Sequence, residues 1–199
     1  LYNTLEGIRG ETLHAGLNHV AKMTEALATF FRYTISNMDN LVTLEEELEN
    51  IDNYYIIQRY RFGNRITLKI EYSEEDAERI LHCRLPKLTL QPIVENAIQH
   101  GIKPLGKDGL IHISAKPQGS FLQISIRDNG VGIPAERLSA IQNALQSDMI
   151  KQNEGIGIVN VHQRIQLFYG KEYGVSISSE NGTCVTMNLP LLKGSISQQ

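Results

Sequence analysis

The sequence is short of the features that brace a small protein or anchor it to a surface. Two cysteines, Cys83 and Cys184, are all that 199 residues contain. That is too few for a disulfide framework, and their spacing matches no metal motif. Both sit in apolar-looking segments and read as buried, reduced thiols. No apolar run is long enough to span a bilayer, and no signal peptide opens the chain. A basic surplus is also missing. The 19 Lys and Arg stand against 22 Asp and Glu, for a net charge of −3, and nucleic-acid binders usually carry the opposite balance. There is no internal repeat and no low-complexity tract. What is present is 41% hydrophobic and 21% charged residues, an ordinary globular mixture. The length suits one large domain, or one domain with a helical appendage. The first residue is Leu1 rather than Met, and a helix-like pattern starts almost at once, so the chain reads as cut from a longer protein.

Up to about Phe62 the pattern is helical. Leu13, Leu17, Val20, Met23, Leu27 and Phe30 recur at spacings of three and four, which predicts one stripe on one helix. Asn37-Met38-Asp39-Asn40 interrupts it with turn formers. Thr43-Leu44-Glu45-Glu46 fits a capping box, and Leu44, Leu48, Ile51 and Tyr55 continue the apolar spacing. The expectation is a hairpin of two helices. Two helices alone bury little, so pairing into a four-helix dimer would supply the missing partner. After Gly63-Asn64 the period changes. Ile66, Leu68 and Ile70 alternate with polar residues as a strand does. Leu88 to His100 reads as a helix with Gly101 as its stop. Residues 110–114 and 122–126 alternate again around Pro117-Gln118-Gly119, a hairpin. Ala135 to Leu145 and Ile158 to Tyr169 read as helices, with the polar and mobile stretch Gln146 to Asn153 between them. Val175-Ser176-Ile177 and Cys184 to Leu189 form a last strand pair around Asn181-Gly182. Helices set against antiparallel strand pairs predict an α+β sandwich rather than a doubly wound sheet. The polar tail Gly194 to Gln199 reads as frayed.

Three segments carry chemistry. Asp128-Asn129-Gly130-Val131-Gly132-Ile133 follows directly on a strand. Asp-Asn-Gly alone is a common turn, but a second glycine and a following helix go beyond one. Glycines two apart let backbone approach a flat ligand closely, and an acid at a strand end can accept a hydrogen bond from an exocyclic amine such as adenine N6. Glu154-Gly155-Ile156-Gly157-Ile158 opens a helix. Glycines there free backbone N–H groups to face an anion, although a tight entry turn would look the same. In Leu90 to His100, Gln91, Glu95 and Gln99 fall at i, i+4 and i+8, and Asn96 and His100 are i, i+4 neighbours. A polar edge is ordinarily a solvated face. Asn inside a helix has poor propensity, however, and so suggests a task. Its amide oxygen suits Mg²⁺ held beside phosphates, and His100 could hydrogen-bond a phosphate oxygen.

In order, Glu95-Asn96, Asp128-x-Gly130-x-Gly132 and Gly155-x-Gly157 resemble the N, G1 and G2 boxes of the GHKL ATPases, the superfamily of gyrase, MutL and the histidine kinases. Within it, Leu1-Tyr2-Asn3-Thr4-Leu5, Phe31-Arg32-Tyr33, Leu44 to Leu48, Gln58 to Phe62, Leu90 to Ala97 and Gly155-Ile156-Gly157-Ile158-x-Asn160-Val161-x-x-Arg164 look like the YesM/LytS-type sensor kinases. The resemblance covers nearly the whole chain. It implies a Bergerat-type α/β sandwich with a mixed sheet. The division would be a helical hairpin dimerisation region over 1–62, an ATP-binding catalytic domain over 63–192 and a tail over 193–199. It implies ATP held with adenine on Asp128, Gly130, Gly132 and Ile133 beside it, Gly155 and Gly157 at the phosphates, Mg²⁺ on Asn96, and Glu95 as base or polariser. Thr183, in Gly182-Thr183, matches a residue that supports the adenine-binding acid in other members. Val131 to Gln152 would include a lid.

The resemblance further implies a homodimer through the N-terminal helices, a response-regulator receiver domain as partner, and the cytoplasmic portion of a cell-membrane sensor. The family's phosphoacceptor histidine sits in a Pro-His-Phe just ahead of Leu-Tyr-Asn, and so would lie upstream of Leu1. His14, His19, His82, His112 and His162 lack that context and read as surface, interface or packing residues. Two other functions stay open at this point: an ATP-driven clamp of the gyrase or MutL kind, and a non-catalytic dimerisation module that senses nucleotide.

Overall fold

The computed structural model describes residues 1–36, 41–146 and 156–191, with backbone alone at 64 and 156. The predicted turn Asn37 to Asn40, the stretch 147–153 and the tail 194–199 lie outside the described residues.

The N-terminal part is three helices, not two: α1 (Tyr2–His14), α2 (Asn18–Ile35) and α3 (Leu44–Phe62). The single stripe predicted across Leu13 to Phe30 is broken at Gly16, whose φ is +73°. Leu17 N–H donates to the Thr12 carbonyl at 2.8 Å and Gly16 N–H to that of Leu13 at 3.0 Å. This is a Schellman cap, which ends a helix with glycine in the left-handed region. The break leaves Leu13 and Leu17 exposed, while α2 buries Ala21, Thr24, Ala26 and Ala28. α2 and α3 run antiparallel and are tied at two points along their length. Tyr60 hydroxyl donates to the His19 carbonyl at 2.7 Å, and Phe30 stacks on Tyr54 at 5.6 Å. Thr43 caps α3 as predicted, with Glu46 N–H on its hydroxyl and its own N–H on the Glu46 carboxylate.

One sheet of five strands carries the rest, in the order β2-β4-β5-β7-β6. Its strands are β2 (Ile66–Tyr72), β4 (Gly109–Gln118), β5 (Phe121–Asp128), β6 (Gly174–Ser178) and β7 (Cys184–Pro190). β2 and β4 are parallel and the other pairs antiparallel, so the sheet is mixed as expected. Short strands β1 (Leu41–Thr43) and β3 (Arg84–Pro86) form a separate pair that periodicity did not reveal. β4 runs through Pro117, and the turn falls at Gly119-Ser120. β2 ends opposite Ala115, so a proline two residues further on deprives no β2 carbonyl of a donor.

Alternate residues of the sheet (Ile111, Ile113, Leu122, Ile124, Ile126, Val185, Met187) pack beneath a helical layer. That layer holds α4 (Ala77–Leu81), α5 (Gln91–Asn96), α6 (Ala135–Gln146) and α7 (Ile156–Tyr169). α3 joins the same core through Leu44, Leu48, Ile51 and Tyr54. The open face carries Lys69, Glu71 and His112, whose Nε2 lies 3.2 Å from Glu71.

The helix predicted over Leu88 to His100 begins three residues later, at Gln91, and does not stop at Gly101. After Asn96 it widens into a π turn (Ala97–Ile102), then tightens into a 3-10 turn that ends at Gly106, φ +69°. Leu88 itself is left-handed, φ +58°, which no helical residue can be.

Candidate nucleotide site

The end of β5, the π turn, α6, the start of α7 and β7 enclose a cleft of about 430 Å³. Asp128 is its one buried charge, 4% exposed. Its Oδ1 accepts Gly130 N–H at 2.8 Å and Thr183 N–H at 3.3 Å. Its own N–H donates to the Thr183 carbonyl at 2.9 Å. Burial pushes the carboxyl above its usual range, against the pull of the Gly130 and Thr183 hydrogen bonds.

The acid fits only because glycines surround it. A Cβ on Gly101 would lie 2.7 Å from Asp128 Oδ1, and one on Gly182 would lie 2.0 Å from the Asp128 carbonyl oxygen. Gly130 presses on Gly101 itself, where a Cβ would meet backbone at 2.3 Å. Val131 N–H donates to the Gly101 carbonyl at 3.0 Å and locks the loop to the π turn. Gly132, at φ +74°, leads to Ile133, whose N–H donates to Ser179 Oγ at 2.8 Å. Ser179 in turn donates to the Gly182 carbonyl at 2.9 Å.

Seven of the residues singled out in the sequence line this cleft: Asn96, His100, Asp128, Gly132, Ile133, Gly157 and Thr183. The Asn96 amide has no hydrogen-bond partner among the described residues, and a Cβ on Gly157 would sit 3.6 Å from its Nδ2. Gly130 lies behind the cleft, against Gly101. Glu95 does not line it. One residue along a helix turns the side chain by about 100°, so Glu95 faces α3 instead. There its Oε1 accepts Gln91 Nε2 at 2.7 Å, and its charge helps push the Tyr54 hydroxyl up to about 12, behind the larger effect of burial. Gln91 accepts from Asn50 of α3 at 2.9 Å. The polar edge Gln91, Glu95, Gln99 is therefore the contact with α3, not a solvated face. Gly155 lies outside the described residues.

Sequence reasoning missed several participants. Gly101 read as a helix stop, and Ser179 carried no local signal because the loop N–H it accepts, that of Ile133, lies 46 residues away. Arg137, one helical turn past Pro134 and exposed, is the only Lys or Arg lining the cleft among the described residues. No group of three or more His, Cys, Asp or Glu could hold a metal among the described residues. A cation here would need oxygens brought by its ligand.

The histidines other than His100 fall in packing and surface positions, as expected. His162 Nδ1 accepts Val175 N–H at 2.9 Å and fills the space left by Gly174, and burial lowers its pKa. Cys83 is buried, its thiol pushed up to about 11, while Cys184 is half-buried; both are free. No helix among the described residues is long and apolar enough to cross a membrane.

Comparison with known proteins gives matches over both halves. Residues 84–193 match the family described as histidine kinase-, DNA gyrase B-, and HSP90-like ATPase, and residues 1–66 match the family described as histidine kinase. The chain is 34% identical to the sensor histidine kinase YesM of Bacillus subtilis, over 96% of its own length and 31% of that protein. It is 31% identical to the sensor protein kinase HptS of Staphylococcus aureus, over 98% of its length and 37% of that protein. It thus spans about a third of the curated relatives it matches. Among solved structures, the histidine kinase domain of the Erythrobacter litoralis blue-light activated histidine kinase aligns over 87% of this chain and 75% of that one, with TM-score 0.51 and 16% identity. The catalytic domain of histidine kinase ThkA aligns over 76% of this chain and 97% of that one, with TM-score 0.52 and 15% identity. At such identities the likeness is one of fold.

Proposed function

This chain belongs to the histidine kinase-, DNA gyrase B- and HSP90-like ATPases, and from that premise we propose that it is the ATP-binding core of a two-component sensor histidine kinase, which binds ATP-Mg²⁺ in the Asp128 cleft. The observation that carries this reading is the buried Asp128 carboxylate in its glycine cage, sharing one cleft with Asn96, Gly157 and Arg137. An acceptor that is buried yet still open to a ligand suits the exocyclic amine of adenine. Thr183 supports the acid, and Ile133 and Gly132 offer a flat apolar wall. His100, Gly155 and Gly157 would meet the phosphates.

Asn96 is the residue that would hold the cation. Its free amide fits a metal that arrives with phosphate oxygens, and the absence of a carboxylate cage among the described residues suits Mg²⁺ better than a resident ion. A bound Mg²⁺ would supply neutralisation of phosphate charge during transfer. Glu95 is the proposed base, a role that requires its carboxylate to leave Gln91 Nε2 and turn from α3 toward the phosphates.

In the intact protein the γ-phosphoryl group would pass to a histidine and then to an aspartate on a response-regulator receiver domain. Residues 1–62 would dimerise, residues 63–192 would bind ATP, and the whole would be the cytoplasmic part of a cell-membrane sensor. Incubation of the intact protein with γ-labelled ATP tests this. The expected product is an acid-labile phosphohistidine that a receiver domain can discharge, absent in Asp128→Asn. Tight ATP binding with no label on protein would refute the kinase reading.

A further inference from the structure

We propose that Glu47 is a positioning residue for the nucleotide site, holding the start of α5, and with it Asn96, in register with the α2–α3 hairpin. This rests on reading the cleft as an ATP-Mg²⁺ site.

Glu47 lies on α3, one turn after its cap, and is completely buried. A buried carboxylate is costly unless every lone pair is used. Here the partners are three successive backbone N–H groups: Leu88 at 2.7 Å, Thr89 at 2.9 Å and Leu90 at 2.8 Å. The Tyr33 hydroxyl of α2 donates to the same carboxylate. Those N–H groups stand directly ahead of Gln91, the first residue of α5, and α5 has no side-chain cap of its own. Glu47, from another helix, ties down the three residues that lead into it. It also holds Leu88 in its left-handed conformation, which a leucine adopts only under constraint.

α5 is short, and Asn96 is its last residue before the π turn. Fixing residues 88–90 therefore fixes Asn96 within two turns. The neighbouring residue binds the other elements. Lys87 Nζ donates to the Ser36 carbonyl at 2.7 Å and to Ser36 Oγ at 2.6 Å, at the end of α2, and lies 4.8 Å from the centre of the Tyr33 ring. The Lys87 carbonyl accepts from Arg164 of α7, the helix that brings Gly157 to Asn96. Residues 87–90 are thus where α2, α3, α5 and α7 meet. The Asp128 end of the site is held separately, through Gly101 and the Val131 hydrogen bond. A displacement of the hairpin should move Asn96 more than Asp128.

The test is calorimetric titration of wild type, Glu47→Gln and Tyr33→Phe with ATP-Mg²⁺, ATP without Mg²⁺, and adenosine. An amide at Glu47 turns a donor toward backbone donors. The expected loss is roughly tenfold or more for ATP-Mg²⁺, with adenosine affinity nearly unchanged and faster amide exchange over 91–96. Tyr33→Phe leaves the backbone bonds intact and should shift the same ratio by less. That variant carries the test should Glu47→Gln fail to fold. Equal losses for all three ligands, or none, would overturn the positioning role. Failure of the wild type to bind ATP-Mg²⁺ would instead overturn the reading of the cleft.

Discussion

Asp128 is a charge in a place that disfavours charge. Its raised pKa means that the folded chain takes up a proton before the unfolded chain does. The cost of the ionised form is therefore present above that raised pKa and relieved as pH falls through it. Asp128→Asn removes the charge and keeps an oxygen for Gly130 and Thr183. The ligand-free variant should then melt no lower than wild type at neutral pH, while ATP binding weakens by about 1.5–3 kcal/mol. A large drop in melting temperature together with unchanged ATP affinity would show that the acid serves the fold. Gly101 belongs to the same unit. Gly101→Ala drives a methyl group to 2.7 Å from the carboxylate, and should weaken ATP as much as Asp128→Asn does. Titration of both variants makes the comparison, and wild-type affinity in Gly101→Ala would contradict the cage. At this scale the sequence disclosed what is local. Asp128, Gly130 and Gly132 stand together and were legible. Gly101 and Ser179 join them only through contacts between distant segments, and nothing in their own neighbourhoods announces it, whereas Gly182 was legible beside Thr183.

Elements follow the same division between local and distant causes. The Thr43–Glu46 capping box is complete within four residues, and it formed as the sequence indicates. The Schellman cap at Gly16 was equally local, yet the run of apolar spacings through it hid the break. The π turn after Asn96 was not legible, because it follows from tertiary demands. Gly101 must meet Asp128 while Glu47 holds the other end of the helix. β6 depends on α7 through His162, which must stay neutral to accept from Val175. Its pKa is lowered by burial from the ordinary 6.5, so the unfolded chain binds the proton first. The stabilisation is whole above that ordinary value and is lost as pH falls through the lowered one. His162→Asn, whose amide oxygen can accept the same N–H, should flatten the decline in stability on acidification through this range. Parallel denaturation curves for variant and wild type at several pH values would exclude the histidine as its source.

Over the whole molecule, α3 belongs both to the hairpin and to the core of the sandwich. The helices before it leave Ile8, Leu13 and Leu17 exposed, where a second copy could cover them. Dimerisation through these helices predicts that Ile8→Glu with Leu13→Glu shifts sedimentation equilibrium toward monomer and leaves ATP affinity intact. An unchanged mass would remove α1 from the interface. On the proposed function, one cleft binds ATP by two separable devices, an acid for the base and an amide for the cation. Calorimetric titration of wild type and Asn96→Ala with ATP, each with and without Mg²⁺, tests it most directly. The expected result is a single site in wild type that Mg²⁺ strengthens, and in Asn96→Ala a site that binds ATP but has lost the Mg²⁺ increment. No binding to wild type, or an equal loss with and without Mg²⁺, would contradict it.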